Sequence, residues 1–503
     1  MMSEQYARTL KPLSLSIERL GPIKDSGLEL GDITLLLGRP NTGKSYVLRA
    51  IYSSLAPLDP YFLGYIKKFL VNVLTERLVK TKEMHQLAGC VKEAARENRR
   101  RPCSVSLKLK LGFSRLVNEG LYTYGRLVAG KYSVNRPSLG EIIEKILEGG
   151  LEGKDTAEIH FFLSKEPVAI IHVSYRLVRD TLELNVEAIP PDIEVFGEEY
   201  DDLALIISLD SRSYSWKIAS IVVDRLMEKV PGIARGYYMY TIVSFLSYGR
   251  GLLSRLLERP LRLGRVEGSL ARALGVEVAS MVHRIKEGYE VWLDILEGRG
   301  EEWSIRLVKA LEPLLEGRLL ADARKKPWYV DWSGAETPLT LSSALVGEYA
   351  ALLYAALASR DGLLLIEEPE SQLHPSAQVA MAVFLAALPS LCGCHVVAST
   401  HSDLLALTLS YIAHYHPSPG SISQLLQSMM PHASRYEEGL EILSKAAASS
   451  AERNLRIYYF ERDGGFTGIR KVEPSEVMSG VPGIKETLGA LASWVGRLEW
   501  SED

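Results

Sequence analysis

Residues 33–55 read ITLLLGRPNTGKSYVLRAIYSSL, and three different physical patterns follow one another within them. Ile33 to Leu37 is a short apolar run of the kind that forms a buried strand. YVLRAIYSSL, from Tyr46, has helical character. Between them lies GRPNTGKS, Gly38 to Ser45, which fits G-x-x-x-x-G-K-[ST]. The mechanism of that motif requires a strand before it and a helix after it. Gly38 and Gly43 permit a tight turn in which consecutive N–H groups face phosphate oxygens. The helix starting near Lys44 adds the positive end of its dipole. Lys44 is expected at the β- and γ-phosphates and Ser45 on Mg²⁺. The expected nucleotide cradle is therefore Gly38, Arg39, Pro40, Asn41, Thr42, Gly43, Lys44, Ser45 and Tyr46, with ATP and Mg²⁺ as cofactors.

Such a loop needs acids from a second strand, and they appear more than 300 residues later. LLLIEEPE places four apolar residues, Leu363 to Ile366, before Glu367, Glu368 and Pro369. An acid at the end of a buried strand can hold the water shell of Mg²⁺, and the next can orient the attacking water. Glu367 is expected in the first role, as a metal ligand with Ser45, and Glu368 in the second. HVVASTHSD is another buried strand ending in polar residues, and His401 follows it, where a γ-phosphate contact belongs. Lys44, Glu368 and His401 form the expected catalytic set.

The rest of the chain bounds the possibilities. With 503 residues, 47% of them hydrophobic, it can bury a large core and hold two or three domains. A net charge of −4 leaves no global nucleic-acid footprint. Cys90, Cys103, Cys392 and Cys394 are too scattered for a disulfide framework and are expected as reduced, buried thiols of a cytoplasmic protein. The N-terminus shows no basic region followed by an apolar run, so no signal peptide is expected. The uncharged stretch from Val379 to Ala398 reads as a buried helix and strand rather than a membrane span, because Pro389 and Gly393 interrupt it.

These motifs together resemble the ABC-type ATPases. EEPESQLHP (Glu367 to Pro375) and STHSDLL (Ser399 to Leu405) are similar to the stand-alone group related to the overcoming-lysogenization-defect (OLD) and RecF-like ATPases, often labelled AAA family ATPases. The Ile-Glu-Arg-Leu-Gly-Pro-Ile stretch before the P-loop shares that likeness, as does TLSSALVGEY before the acidic strand. The resemblance covers roughly the first 60 and last 170 residues and implies an ABC-type head with a mixed sheet. The residue pattern itself reads as one α/β core interrupted by a large, mostly helical insertion with some antiparallel strands. The resemblance also implies that two heads sandwich two ATPs, with the signature serine of one head capping the γ-phosphate held by the other. Ser342 is the first choice for that contact and Ser343 the second. Ser343 and Ala344 stand where such a signature usually has glycine. The glutamine linking Mg²⁺ to the neighbouring lobe has no counterpart, with Arg212 and Ser211 as conceivable substitutes.

Residues 1–56 and 336–503 are expected to form the ATPase core and residues 57–335 the insertion, with 203–212 as a strand returning to the core. The segment from Lys217 to about Arg324 reads as helical, including the aromatic run YYMYTIVSFLSY from Tyr237. Strand pairs are expected around Arg179-Asp180 and Asp463-Gly464-Gly465. The basic stretch KEAARENRRR, Lys92 to Arg101, suits a solvated helix face or a phosphate-contacting one. No nuclease activity is expected, because the tail lacks a matching glycine-and-acid cluster. The leading function is an ATP-hydrolysing head that dimerises around ATP and drives or switches a partner, with DNA or a separate effector protein as candidates and no membrane. The competing function is a nucleotide-gated interaction module with negligible turnover.

Overall fold

The computed structural model describes residues 12–56, 60–96, 101–111, 130–160, 167–178, 181–189, 211–234, 242–247, 276–449 and 454–480. Along the chain, β1 (Ser14–Leu20), β2 (Ile23–Glu29) and β3 (Ile33–Gly38) lead into α1 (Lys44–Leu55). Next come α2 (Pro60–Val79), α3 (Lys82–Arg96), β4 (Cys103–Lys110), β5 (Gly130–Val134) and α4 (Leu139–Gly149). They are followed by β6 (Leu151–His160), β7 (Pro167–Val178), β8 (Thr181–Ile189) and α5 (Ser211–Ala234). The chain continues through β9 (Val243–Leu246), α6 (Val276–Leu296), α7 (Glu302–Leu315), β10 (Gly317–Ala321), β11 (Pro327–Asp331) and β12 (Glu336–Pro338). It then runs through α8 (Ala344–Leu357), β13 (Leu363–Glu367), α9 (Pro375–Leu391), β14 (His395–Thr400) and α10 (Asp403–Tyr415). The last described elements are α11 (Pro419–Met429), α12 (Glu437–Ser449), β15 (Leu455–Asp463), β16 (Phe466–Val472) and α13 (Pro474–Met478).

The chain divides into two compact units. The first gathers the described residues of Met1–Ala56, Leu127–Asn135 and Ile242–Asp503. It is built on a nine-stranded mixed sheet in the order β5-β1-β2-β16-β15-β3-β14-β13-β9. Strands β15, β3, β14, β13 and β9 run parallel to one another. Every residue of β3, β9 and β13 is buried, as expected of parallel strands covered on both faces. The outer pairs β1–β2, β1–β5 and β15–β16 are antiparallel. One continuous apolar core joins β3, β13 and β14 to helices α6 to α9 and α12.

The second unit comprises the described residues of Pro57–Arg126 and Arg136–Thr241. Its antiparallel sheet has the order β4-β8-β7-β6; α3, α4 and α5 pack on it, and α2 packs on α5. Leu182, Leu184, Val186 and Ala188 alternate inward along β8, the period-two pattern of a half-buried strand. β7 and β8 pair up to Val178 opposite Thr181, so the expected strand pair forms, although Arg179 and Asp180 lie outside the described residues.

Several expectations need correction. Val243–Leu246, expected as helix core, is the strand β9 beside β13; a four-residue apolar run has no period to separate the two cases. The described residues among 242–335 accordingly lie in the first unit. Ser211 and Arg212 open α5 instead of ending a strand, while 203–210 lie outside the described residues, as do Tyr237 to Tyr240. Arg212 is paired with Glu76 at 2.7 Å in the second unit. Arg318 and Leu319 belong to the strand β10, within the stretch read as helical. Of the basic stretch, Arg99 and Arg100 lie outside the described residues. Lys92 is half-buried, and Glu93 and Arg101 are exposed.

The cysteines are paired rather than free. Cys90 on α3 is bonded to Cys103 on β4, and Cys392 to Cys394. Cys90 is also exposed rather than buried. Spacing along the chain conceals the first pair, because it forms where α3 packs on β4. The apolar stretch from Val379 does divide into helix α9 and strand β14, and the chain turns between them at Gly393 (φ 69°). Among the described residues no helix is long and apolar enough to cross a membrane.

Candidate functional site

Register in the parallel sheet aligns three strand ends. Gly38 lies opposite Phe460, Leu37 opposite Thr400, and Ser399 opposite Glu367. Gly38, Thr400 and Glu367 therefore finish three adjacent strands, β3, β14 and β13, at one edge of the sheet. The carboxyl ends of parallel strands are where α/β folds place ligands.

The loop after β3 is shaped by its glycines. Gly38 (φ 152°) and Gly43 (φ 101°) adopt backbone angles that side chains resist. A Cβ on Gly38 would come within 2.8 Å of the Phe460 carbonyl oxygen on β15. Asn41 is left-handed (φ 60°), and the Thr42 hydroxyl donates to the Arg39 carbonyl at 2.8 Å. Arg39, Pro40, Asn41 and Tyr46 are exposed and Ser45 is half-buried. Gly43 starts α1 without a side-chain cap, so the first-turn amides face outward with the positive dipole end behind them.

Lys44 is only 5% exposed. Its ammonium donates to the carbonyls of Gly38 and Arg39, each at 2.8 Å, and approaches His401 Nδ1 at 3.3 Å. Burial lowers its pKa to about 8, against the opposing influence of the Glu368 and Glu370 carboxylates. His401 Nε2 stands 3.0 Å from Glu368 Oε1. An ammonium can only donate, so Nδ1 accepts and the ring hydrogen resides on Nε2, facing Glu368. Glu368 itself has φ 44°, and its N–H donates to the Ser399 carbonyl at 2.9 Å. Backbone strain of this sort costs on the order of 1 kcal/mol or more and collects at functional sites.

Glu367 ends β13 and is 1% exposed. Sequence reading missed Glu370, which is 8% exposed and whose Oε1 accepts from Thr400 Oγ1, the His401 N–H and the Ser402 N–H. Its signal was present as the third acid of EEPE, but that pattern names no partner. Among the described residues no three His, Cys, Asp or Glu side chains cluster as a metal site. Mg²⁺ in a nucleotide site needs only one or two protein oxygens, since phosphates and water complete its shell. The Ser45 hydroxyl and the Glu367 carboxylate fit that donor chemistry.

Ser342 and Ser343 are engaged within their own loop. The Ser342 hydroxyl donates to the Leu339 carbonyl at 2.7 Å, and Ser343 caps α8 by accepting from the Val346 N–H at 3.4 Å. Leu341 beside them is 76% exposed. The structure thus joins Lys44, His401 and Glu368 by direct contacts, and Ser342 and Ser343 form a separate helix start.

Comparison with known proteins finds a family match over one segment of the chain. Residues 347–407 match the family described as "AAA domain, putative AbiEii toxin, Type IV TA system". This segment runs from α8 into α10 and includes Glu367, Glu368, Glu370 and His401. No curated protein matches the chain. Solved structures similar to it include an Smc head bound to the C-terminal winged-helix domain of ScpA, at 10% identity and a TM-score of 0.33 over 94% of this chain and 99% of that one. The SMC head domain from Thermotoga maritima has 10% identity and a TM-score of 0.29 over 92% and 100%. An Smc head with an extended coiled coil, bound to the C-terminal domain of ScpA derived from Pyrococcus furiosus, has 10% identity and a TM-score of 0.31 over 95% and 99%.

Proposed function

We propose that this chain binds and hydrolyses ATP at the strand ends that carry Gly38, Glu367 and Thr400. The observation that supports this reading most is the chain of contacts from Lys44 through His401 to Glu368. In it a buried cation lies beside a carboxylate through a ring that can report on both.

In this reading the amides of Gly38 to Tyr46 cradle the phosphates, and Lys44 Nζ leaves the Gly38 and Arg39 carbonyls for the β- and γ-phosphate oxygens. Ser45 and Glu367 hold Mg²⁺, which supplies charge neutralisation on those oxygens when bound. Glu368 orients the attacking water and accepts its proton, and His401 turns its Nε2–H from Glu368 to the γ-phosphate. Ser342 and Ser343, at the positive end of α8, reach the γ-phosphate held by a second copy, so that ATP closes a homodimer. Hydrolysis then reopens it, and a ligand that favours the closed state shifts the population toward it. The opening and closing drive or switch a partner, either DNA or a separate effector protein.

The test is the oligomeric state of Glu368→Gln by light scattering with Mg·ATP. The proposal expects a dimer that persists with ATP and is absent with ADP or in Lys44→Ala. A monomer under every condition would overturn the sandwich. An ATP-dependent dimer in wild type with no more turnover than Glu368→Gln would favour the nucleotide-gated interaction module instead.

A further inference from the structure

The turn after β13 carries a carboxylate for which the proposed chemistry has no use. Glu370 Oε1 receives three donors from three consecutive residues: Thr400 Oγ1 at 2.7 Å, the His401 N–H at 2.7 Å and the Ser402 N–H at 3.2 Å. Two of these are backbone groups, so the contact sets the path of the chain between β14 and α10 rather than one rotamer. Burying a carboxylate to 8% exposure is unfavourable unless such bonds hold it. The same turn is fixed from the other side, since Ser402 caps α10 through the Leu405 N–H at 3.1 Å and donates to Gln378 Oε1 at 2.6 Å.

We propose that Glu370 is a positioning residue that locks the backbone from Thr400 to Ser402, so that the His401 ring stays between Lys44 and Glu368. It touches no reacting atom, and its effect on turnover passes through His401. The inference rests on the reading of the site given above. It differs from plain capping of α10, which would stabilise the helix without deciding where the ring sits.

The experiment follows the His401 ring by NMR of protein carrying ¹⁵N-labelled histidine, with His401→Gln to assign its signal among the ten histidines. Turnover at saturating ATP and ATP affinity are measured on the same samples. Wild type is expected to show the Nε2–H tautomer. Glu370→Gln keeps an acceptor oxygen in place and should retain both the tautomer and turnover within about ten-fold. Glu370→Ala should lose the tautomer preference and about a hundred-fold in turnover, with ATP affinity changed by less than about three-fold. In a His401→Gln background, Glu370→Ala should cost nothing further, as expected for two residues acting as one unit. Glu370→Asp withdraws the oxygen by one methylene and should give an intermediate loss, which keeps the test available if the alanine variant does not fold. An unchanged tautomer in Glu370→Ala, or an additional loss in the His401→Gln background, would overturn the proposal. Absence of Lys44-dependent turnover in wild type would overturn the ATPase reading, while the tautomer comparison would still decide the role of Glu370.

Discussion

Lys44 and His401 stand 357 residues apart in the chain, and their side-chain nitrogens lie 3.3 Å apart. The first opens α1, just past the turn after β3, and the second comes from the turn after β14. Those strands pair in parallel, with Leu37 opposite Thr400, so the sheet register alone brings the two turns together. A further 3.0 Å contact reaches Glu368, the residue just after β13.

That chain of contacts implies separable roles for its members. Glu368→Gln and His401→Ala should each lower turnover by about 10²–10³-fold, with ATP affinity changed far less. Steady-state kinetics beside direct ATP titration checks this. A loss of affinity equal to the loss of turnover would place both residues in binding alone.

The buried Lys44 should weaken the free protein. Its folded pKa of about 8 lies below the ordinary 10.5 because burial disfavours the charged form. The protonated group is thus penalised in the fold by on the order of 3 kcal/mol. The penalty is fully present below pH 8 and fades as pH rises from 8 toward 10.5. Lys44→Met should therefore raise the melting temperature of the nucleotide-free protein at pH 7, lose that advantage above pH 10, and abolish stabilisation by ATP. Thermal melts across pH, with and without ATP, test all three outcomes.

Gly38→Ala should be harmful for steric reasons. The new Cβ would meet the Phe460 carbonyl oxygen at 2.8 Å, with φ at 152°, and neither backbone can yield cheaply. A stability loss of about 1–3 kcal/mol is expected, together with lost ATP binding. Denaturant unfolding of this variant beside wild type measures the loss, and an unchanged midpoint would contradict the packing of β3 on β15.

The Cys90–Cys103 bridge closes a short loop, with the two residues 13 apart. In the chain-entropy account such a closure contributes about 3 kcal/mol. Cys90→Ser should lower the stability of the second unit by an amount of that order, and peptide mapping without reductant should recover the linked pair. Recovery of both cysteines as free thiols from oxidised protein would contradict the pairing.

Much of the fold is legible in the sequence. The runs before Gly38, Glu367 and His401 are short, mostly apolar and followed by a turn or polar residues, and each became a strand of the same sheet. The turn at Gly464-Gly465 joined β15 and β16 because both residues take positive φ. What stayed hidden was non-local. VSFL joins the sheet because β13 needs a neighbour, and nothing within four residues announces that. Glu370 resembles any acid in a polar turn until β14 brings three donors to it. Cys90 and Cys103 meet only once α3 lies on β4.

The most direct test of the account is ATP turnover by the purified protein beside Lys44→Ala and Glu368→Gln, with and without DNA. The account predicts Mg²⁺-dependent hydrolysis in wild type that both substitutions abolish, and a several-fold rise with DNA if DNA is the partner. Wild-type hydrolysis no faster than either variant under every condition would contradict it.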